Sequence, residues 1–167
     1  MNILFVCTGN TCRSTMAEGI FKYLLKNKNI DNINVSSAGI TAYDGEKANE
    51  KAIMVLKKNG IDITGHKARL LTSEIINESD LILTMTSNHK EIINDYVHKK
   101  TVSSPCPKVF TLREFANIVN EESADNNFDI EDPFGMDYNL YEKSMDEIMT
   151  EIEKIIKKIS IVLMEEK

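Results

Sequence analysis

The fold is decided by residues 2–14, which read Asn2-Ile3-Leu4-Phe5-Val6-Cys7-Thr8-Gly9-Asn10-Thr11-Cys12-Arg13-Ser14. The uninterrupted apolar run from Ile3 to Val6 predicts a buried central strand that ends at Cys7. From Arg13 onward, the apolar spacing predicts a helix whose inward stripe is Met16, Ala17, Ile20, Phe21 and Leu24. The stretch therefore forms a strand, a tight loop and a helix, with a thiol at the start of the loop and a guanidinium at its end.

This loop contains the groups that a phosphoryl-transfer site requires. Only the thiolate form of a cysteine attacks well, and loop amides at a helix N-terminus favour an anion beside them. The same amides can bind a phosphate dianion, and Arg13 can hold two of its oxygens at once. We therefore predict that Cys7 forms a cysteinyl-phosphate and that Arg13 clamps the phosphate. The other predicted substrate-binding residues of the loop are Thr8, Gly9, Asn10, Thr11, Cys12 and Ser14.

The spacing Cys-x5-Arg also occurs where a structural cysteine is merely buried at the end of a strand. Here the loop lies between a strand and a helix, and Gly9 and Asn10 are residues that can adopt a positive φ. This context favours a phosphate-binding loop over an inert core cysteine.

Several motifs resemble those of the low-molecular-weight phosphotyrosine-phosphatase family. The stretch from Val6 to Ser14 is followed by Met16-Ala17-Glu18. Further motifs fall in the family order, namely Ser37-Ala38-Gly39, Gly65-His66-Lys67-Ala68-Arg69, Asp80-Leu81-Ile82-Leu83-Thr84-Met85 and Asp132-Pro133-Phe134-Gly135. One departure is Thr15, where many members have proline. The resemblance implies a phosphotyrosine protein phosphatase I-like fold with strand order 2-1-3-4.

The resemblance also implies supporting roles around the loop. Asn10, Ser37 and His66 resemble a network that holds the loop in shape, with Asn10 as the left-handed residue. For His66, a surface position beside a helix is the alternative. Cys7 and Cys12 resemble a pair that forms a reversible disulfide, and packing of Cys12 beneath the loop is the alternative.

A second chemical element is the segment around Asp132. A carboxylic acid near the loop can protonate the leaving group, and the carboxylate can then activate the water that hydrolyses the cysteinyl-phosphate. From the residues alone, Asp125, Asp129 and Asp132 are equivalent candidates. The resemblance to the Asp-Pro motif of the family selects Asp132 and places Phe134 beside the substrate.

The identity of the substrate depends on Thr11 and Phe134. Both residues, in their motifs, resemble the bacterial protein-arginine phosphatases, whereas many tyrosine-specific relatives have an aliphatic residue and a tyrosine there. A threonine hydroxyl can accept a hydrogen bond from a guanidinium, and Asp132 can attract its charge. We therefore expect phosphorylated proteins as partners and phosphoarginine as the substrate, with phosphotyrosine as the alternative.

Two other functional classes share features with this chain. Thiol-coupled arsenate reductases of this fold relay a disulfide through further cysteines after the third strand, but residues 84–89 contain none, and Cys106 is the only other thiol. A non-catalytic phosphoprotein-binding module would need neither the thiol of Cys7 nor the acid of Asp132. Both alternatives are therefore less favoured than a phosphatase.

Composition limits the remaining possibilities. The chain has 167 residues, 42% of them apolar, and a net charge of −6, which is typical of one globular domain spanning 1–167. The acidic balance without a basic cluster argues against nucleic acid, and no apolar run reaches the roughly 20 residues of a membrane span. The strand at the N-terminus leaves no room for a signal peptide, so we expect a cytoplasmic protein. We also expect the protein to be a monomer.

The sequence shows no pattern typical of a metal site. The three cysteines and three histidines are not spaced like a metal motif, so we expect no metal and no cofactor. Two of the histidines, His89 and His98, are interpreted as solvated helix positions.

Alternation of strands and helices predicts an α/β protein with a three-layer αβα architecture and a four-stranded, twisted parallel sheet. The predicted strands after the first cover 33–37, 81–85 and 108–111. The predicted helices cover about 13–26, 46–59, 72–77, 87–98 and 137–164, with a loop over 120–132 and the last helix covering the sheet. Ligands bind at the carboxyl ends of strands in such sheets, where the Cys7 loop begins.

Overall fold

The computed structural model describes residues 1–99, 106–120 and 127–165. The strands are β1 (Asn2–Cys7), β2 (Asn34–Gly39), β3 (Leu81–Thr84) and β4 (Lys108–Thr111). The helices are α1 (Arg13–Asn27), α2 (Glu50–Lys58), α3 (Ser73–Asn77), α4 (Ser87–Lys99), α5 (Leu112–Asn120) and α6 (Tyr138–Glu165). Every predicted strand and helix is present, and α5 is an additional helix.

The four strands form one parallel sheet in the order β2-β1-β3-β4, which confirms the expected topology. β1 pairs with both β2 and β3, and each residue from Ile3 to Val6 is at most 1% exposed. Cys7 ends β1 and is paired in register with Gly39, which ends β2. The loop after Cys7 therefore leaves the carboxyl edge of the sheet beside the end of β2.

Helices cover both faces of the sheet, as expected for a three-layer αβα fold. Ile3 and Phe5 face the larger layer, which contains α1, α2, α5 and α6, and Phe5 contacts Phe21 of α1 with ring centroids 5.6 Å apart. Leu4 and Val6 face the smaller layer of α3 and α4. The buried stripe of α6 packs beside α1 in the same core cluster as the strand residues Ile3 and Phe5, and it includes Met145, Ile148, Ile152 and Ile155.

The start of the second helix differs from the prediction. α2 begins at Glu50 and not at Glu46, because the Asn49 side chain caps it by accepting a hydrogen bond from the Lys51 amide at 2.9 Å. Before this cap, Lys47 forms an isolated antiparallel bridge with Lys67 in place of the first turn of the predicted helix.

The helix α5 was absent from the prediction, although its start has a recognisable capping box. The Thr111 hydroxyl accepts from the Glu114 amide at 3.1 Å, and the Glu114 carboxylate accepts from the Thr111 amide at 3.1 Å. Leu112 and Ala116 then bury one face of the helix against the core. In the loop expected over 120–132, residues 127–132 contain neither helix nor strand, and 121–126 lie outside the described residues.

Candidate active site

The thiol of Cys7 is hydrogen-bonded to a side chain at the start of α1. Its Sγ lies 3.0 Å from Oγ of Ser14, and both residues are buried. The Ser14 oxygen accepts a hydrogen bond from the Asn10 side-chain amide at 2.9 Å, and the Ser14 hydroxyl can donate its single proton to the sulfur. A hydroxyl donor placed in this way stabilises the thiolate form of Cys7.

Asn10 connects the loop to two neighbouring segments. It has a φ of 56°, which confirms the expected left-handed conformation, whereas Gly9 does not have a positive φ. The Asn10 amide also donates to Oγ of Ser37 at 2.8 Å, and its Oδ1 accepts from the Arg69 backbone amide at 3.0 Å. Because Asn10 is fully buried, these bonds fix the loop from behind and away from solvent.

His66 contacts the loop, in agreement with the family resemblance. Its Nε2 lies 2.8 Å from the Asn10 carbonyl oxygen and 3.1 Å from Oγ1 of Thr15. The Thr15 hydroxyl donates to the same carbonyl at 2.8 Å. Thr15 thus adds a hydrogen bond to the loop at the position where many family members have a rigid proline.

Gly39 allows the end of β2 to approach the loop closely. A Cβ at this position would lie 2.6 Å from the Thr8 carbonyl oxygen and 2.8 Å from the Asn10 amide nitrogen. Contacts this short do not occur between real Cβ atoms and backbone. A side chain at Gly39 would therefore displace the backbone of the loop.

The predicted clamp and the predicted acid are in direct contact. Arg13 is 3% exposed, and its Nη2 donates to Oδ2 of Asp132 at 2.5 Å while its Nη1 donates to the Ile130 carbonyl at 3.0 Å. Nε of Arg13 is buried and has no hydrogen-bond partner within the described ranges. The Asp132 side chain is 48% exposed, so the ion pair joins the buried clamp to the solvent side of the site.

A cavity of about 250 Å³ opens above the loop. Of the predicted catalytic and substrate-binding residues, all except Asn10 and Ser14 contribute to the cavity lining. Two exposed aromatic side chains stand at its mouth, with Phe134 67% exposed and Tyr43 80% exposed. The cavity therefore reaches Cys7, and both exposed aromatic rings contribute to its lining.

Sequence reasoning missed three lining residues, Thr41, Tyr43 and Glu46. They follow β2, whose carboxyl end lies at the same edge of the sheet as Cys7. The parallel topology was the signal that could have identified this segment, because loops at that edge converge.

Cys12 packs beneath the loop against α6. Its Sγ lies 3.2 Å from the Tyr141 hydroxyl, and burial raises the pKa of the Cys12 thiol. Cys7 and Cys12 are both free thiols in the structure. Cys106 is exposed and precedes β4, at the amino edge of the parallel sheet, whereas Cys7 lies at the carboxyl edge. Among the described residues, the site therefore has no cysteine beyond Cys7 and Cys12 for the thiol relay of an arsenate reductase.

His89 contradicts the expectation of a solvated helix position. It is 5% exposed, and its Nε2 lies 2.9 Å from Oγ1 of Thr8 in the loop. The expectation was wrong because α4 starts directly beyond the carboxyl end of β3, so its first turn faces the loop. Burial, with a smaller contribution from the charge of Arg13, lowers the pKa of His89 to about 4. The side chain of His98 lies outside the described residues.

Within the ranges that the structure describes, no three His, Cys, Asp or Glu side chains come together in a way that could hold a metal ion. In the same ranges, no helix has both the length and the apolar character needed to cross a membrane.

Comparison with known proteins identifies the family. Residues 2–163 match the family described as low molecular weight phosphotyrosine protein phosphatase. The chain is 36% identical to a protein-arginine-phosphatase of Bacillus subtilis (strain 168), over 95% of this chain and 97% of the relative. It is 38% identical to a protein-arginine-phosphatase of Geobacillus stearothermophilus, over 94% of this chain and 95% of the relative.

A solved structure agrees with these sequence relatives. It is described as the YwlE arginine phosphatase with its active-site cysteine changed to serine and that serine phosphorylated. The TM-score is 0.80 at 35% identity, covering 95% of each chain. Together with the cysteine loop and its buried arginine, these matches show that the chain belongs to the low molecular weight phosphotyrosine protein phosphatase family.

Proposed function

We propose that this protein is a protein-arginine phosphatase that hydrolyses phosphoarginine residues through a cysteinyl-phosphate. The observation that carries the proposal is the position of Thr11, which lines the cavity together with Cys7 and Asp132. Its hydroxyl provides an acceptor for a guanidinium where an aliphatic residue would offer only an apolar wall. The two relatives named protein-arginine-phosphatase support the same substrate.

In the first half of the proposed reaction, the Cys7 thiolate attacks phosphorus. The P–S bond forms while the P–N bond to the substrate guanidine breaks, and Asp132 donates its proton to the departing nitrogen. Arg13 holds the phosphoryl oxygens through its guanidinium, including the buried Nε–H that has no partner among the described residues. Ser14 stabilises the thiolate before attack through its 3.0 Å contact with Sγ.

In the second half, water hydrolyses the cysteinyl-phosphate. The Asp132 carboxylate accepts a proton from the water as its oxygen attacks phosphorus, and the P–S bond breaks to restore the thiolate. Inorganic phosphate then leaves. The 48% exposure of the Asp132 side chain is consistent with this role, because the group must meet both the leaving nitrogen and water. The relative with a phosphorylated active-site serine supports a covalent intermediate at this position.

Phosphotyrosine is the second candidate substrate. The exposed rings of Tyr43 and Phe134 at the mouth of the cavity can pack on a phenyl ring as well as on a planar guanidinium. The family description also names phosphotyrosine. The two aromatic rings therefore do not discriminate between phosphoarginine and phosphotyrosine, and the Thr11 hydroxyl is the feature that favours phosphoarginine.

The test is kcat/KM on one protein carrying either phosphoarginine or phosphotyrosine. We expect the native enzyme to prefer phosphoarginine and Thr11→Ile to lose or reverse that preference. Thr11→Val is the matched control for shape, because it removes the hydroxyl and keeps the branched side chain. Its kcat/KM should fall roughly tenfold on phosphoarginine and change little on phosphotyrosine. A native preference for phosphotyrosine would overturn the substrate while leaving the roles of Cys7, Arg13 and Asp132 standing.

Further parts of the proposal concern the whole protein. We infer one phosphatase domain over 1–167, supported by the family match across 2–163. We also propose that the protein acts as a monomer in the cytoplasm on phosphorylated proteins, without nucleic acid as a partner. The three free cysteines are consistent with a reducing compartment, and the net charge of −6 is unfavourable for binding nucleic acid. Size-exclusion chromatography with light scattering tests the monomer directly.

A further inference from the structure

Both ring nitrogens of the buried His89 contact threonine hydroxyls. Nε2 lies 2.9 Å from Oγ1 of Thr8, the residue that follows the nucleophile. Nδ1 lies 2.9 Å from Oγ1 of Thr86, which precedes the first residue of α4. Because Thr8 lines the cavity above Cys7, the imidazole connects the first turn of α4 to the phosphate-binding loop.

The direction of these hydrogen bonds follows from the number of protons available. The Thr86 oxygen accepts from the His89 backbone amide at 3.2 Å, and a hydroxyl has one proton to donate. In one arrangement, Thr86 donates to Nδ1, and the proton on Nε2 is donated to Thr8. In the other, Nδ1 donates to Thr86 and Thr8 donates to Nε2. The first arrangement leaves the Thr8 proton free, and the second leaves the Thr86 proton free.

A bound phosphoryl group selects between the two arrangements. It presents anionic oxygens to the cavity, and these accept hydrogen bonds from donors on the lining. Thr8 lines the cavity and can donate to such an oxygen only when its proton is not used for His89. We propose that His89, with its proton on Nε2, is a positioning residue that holds the Thr8 hydroxyl as a donor to the phosphoryl group.

The charge state of His89 is consistent with this role. Burial lowers its pKa to about 4, and the charge of Arg13 acts in the same direction, while Asp132 and Asp129 oppose it. The ring therefore has one proton at neutral pH, and a single proton is what the two-threonine arrangement requires.

This inference rests on the proposed phosphoryl-transfer site but not on the choice of phosphoarginine. The kinetic test therefore uses p-nitrophenyl phosphate and compares Thr8→Val, Thr8→Ser, His89→Ala and the Thr8→Val/His89→Ala double variant. We expect Thr8→Val to lower kcat/KM roughly 10- to 100-fold, the size of one hydrogen bond to a charged group. Thr8→Ser retains the hydroxyl and should keep most of the activity.

The double variant tests whether His89 acts through Thr8. If it does, His89→Ala lowers kcat/KM in the native background but causes no further loss in Thr8→Val. Multiplicative losses would overturn the proposal, because they would show that the two residues act independently. Native-like activity of Thr8→Val would overturn it as well.

A spectroscopic measurement on the native protein avoids any effect of substitution on folding. The chain has three histidines, so the ¹⁵N resonances of His89 can be assigned by comparison with His89→Ala. With saturating inorganic phosphate at pH 6–7.5, we expect a protonated Nε2 and an unprotonated Nδ1. A proton on Nδ1 would overturn the proposal. A native preference for phosphotyrosine would instead overturn only the proposed substrate, so the two failures can be distinguished.

Discussion

Substitution of Gly39 by alanine should damage catalysis by moving the loop, although Gly39 itself does not line the cavity. The added Cβ would lie 2.6 Å from the Thr8 carbonyl oxygen and 2.8 Å from the Asn10 amide nitrogen, and ordinary contact begins at 3.4 Å. The backbone of the loop must therefore retreat by about 0.8 Å, the difference between 3.4 and 2.6 Å.

The consequence can be estimated from the precision that catalysis requires. A misplacement of about 1 Å can cost roughly 100-fold in rate, and overpacking costs about 1–3 kcal/mol of stability. We expect Gly39→Ala to lower kcat/KM roughly 100-fold. We also expect it to lower the free energy of unfolding, measured in urea, by about 1–3 kcal/mol. The affinity for inorganic phosphate, measured by inhibition, should fall as well.

Gly65→Ala is the matched control. A Cβ at Gly65 meets nothing within 4 Å, and its backbone is not left-handed. This variant should keep native activity and change stability by less than about 1 kcal/mol. Native-like kcat/KM in Gly39→Ala would refute the reasoning, because it would show that the end of β2 does not constrain the loop.

Three further predictions concern the groups around the nucleophile. Ser14→Ala removes the donor to the sulfur of Cys7 and should slow iodoacetamide alkylation at pH 6.5 about tenfold; an unchanged rate would exclude this role. Asp132→Asn should lower kcat roughly 10²- to 10⁴-fold and strengthen inhibition by phosphate, because a carboxylate no longer competes for Arg13; weaker inhibition would contradict this. Because the pKa of His89 falls to about 4 in the folded state, the unfolded state binds more protons between about pH 4 and 6.5, and stability rises with pH there. Acidification from pH 7 to 4.5 should therefore lower the free energy of unfolding by about 2 kcal/mol through His89. Urea titrations of His89→Gln should show a smaller loss of stability over the same pH range than those of the native protein. An equal loss would refute the lowered pKa of His89.

The parts of the site that are continuous in sequence could be predicted from the sequence. The strand, loop and helix around Cys7 and Arg13 lie on one stretch, so local patterning and chemistry were sufficient. Asp132 was different, because three aspartates were equivalent on residue chemistry alone and only the family resemblance selected one. Its contact with Arg13 depends on how the segment around Ile130 returns to the loop, and sequence spacing does not show this.

The residues that were missed reach the site through tertiary structure. His89 has an unremarkable place in the helical pattern, and its role appears only when the carboxyl ends of β1 and β3 lie side by side. Tyr43 and Glu46 follow β2 and converge on the same edge. By contrast, α5 was missed despite a local signal, since its capping box of Thr111 and Glu114 is visible in the sequence.

The ion pair between Arg13 and Asp132 has a consequence for turnover. Asp132 and Ile130 belong to the same short segment. The Arg13 guanidinium donates to the Asp132 carboxylate at 2.5 Å and to the Ile130 carbonyl at 3.0 Å. When phosphate leaves, the Asp132 carboxylate is therefore already beside the Arg13 guanidinium, at a high effective concentration, and can replace the phosphate as its partner. Release of product becomes an exchange of one anion for another, so the arginine never has to remain buried without a counter-charge.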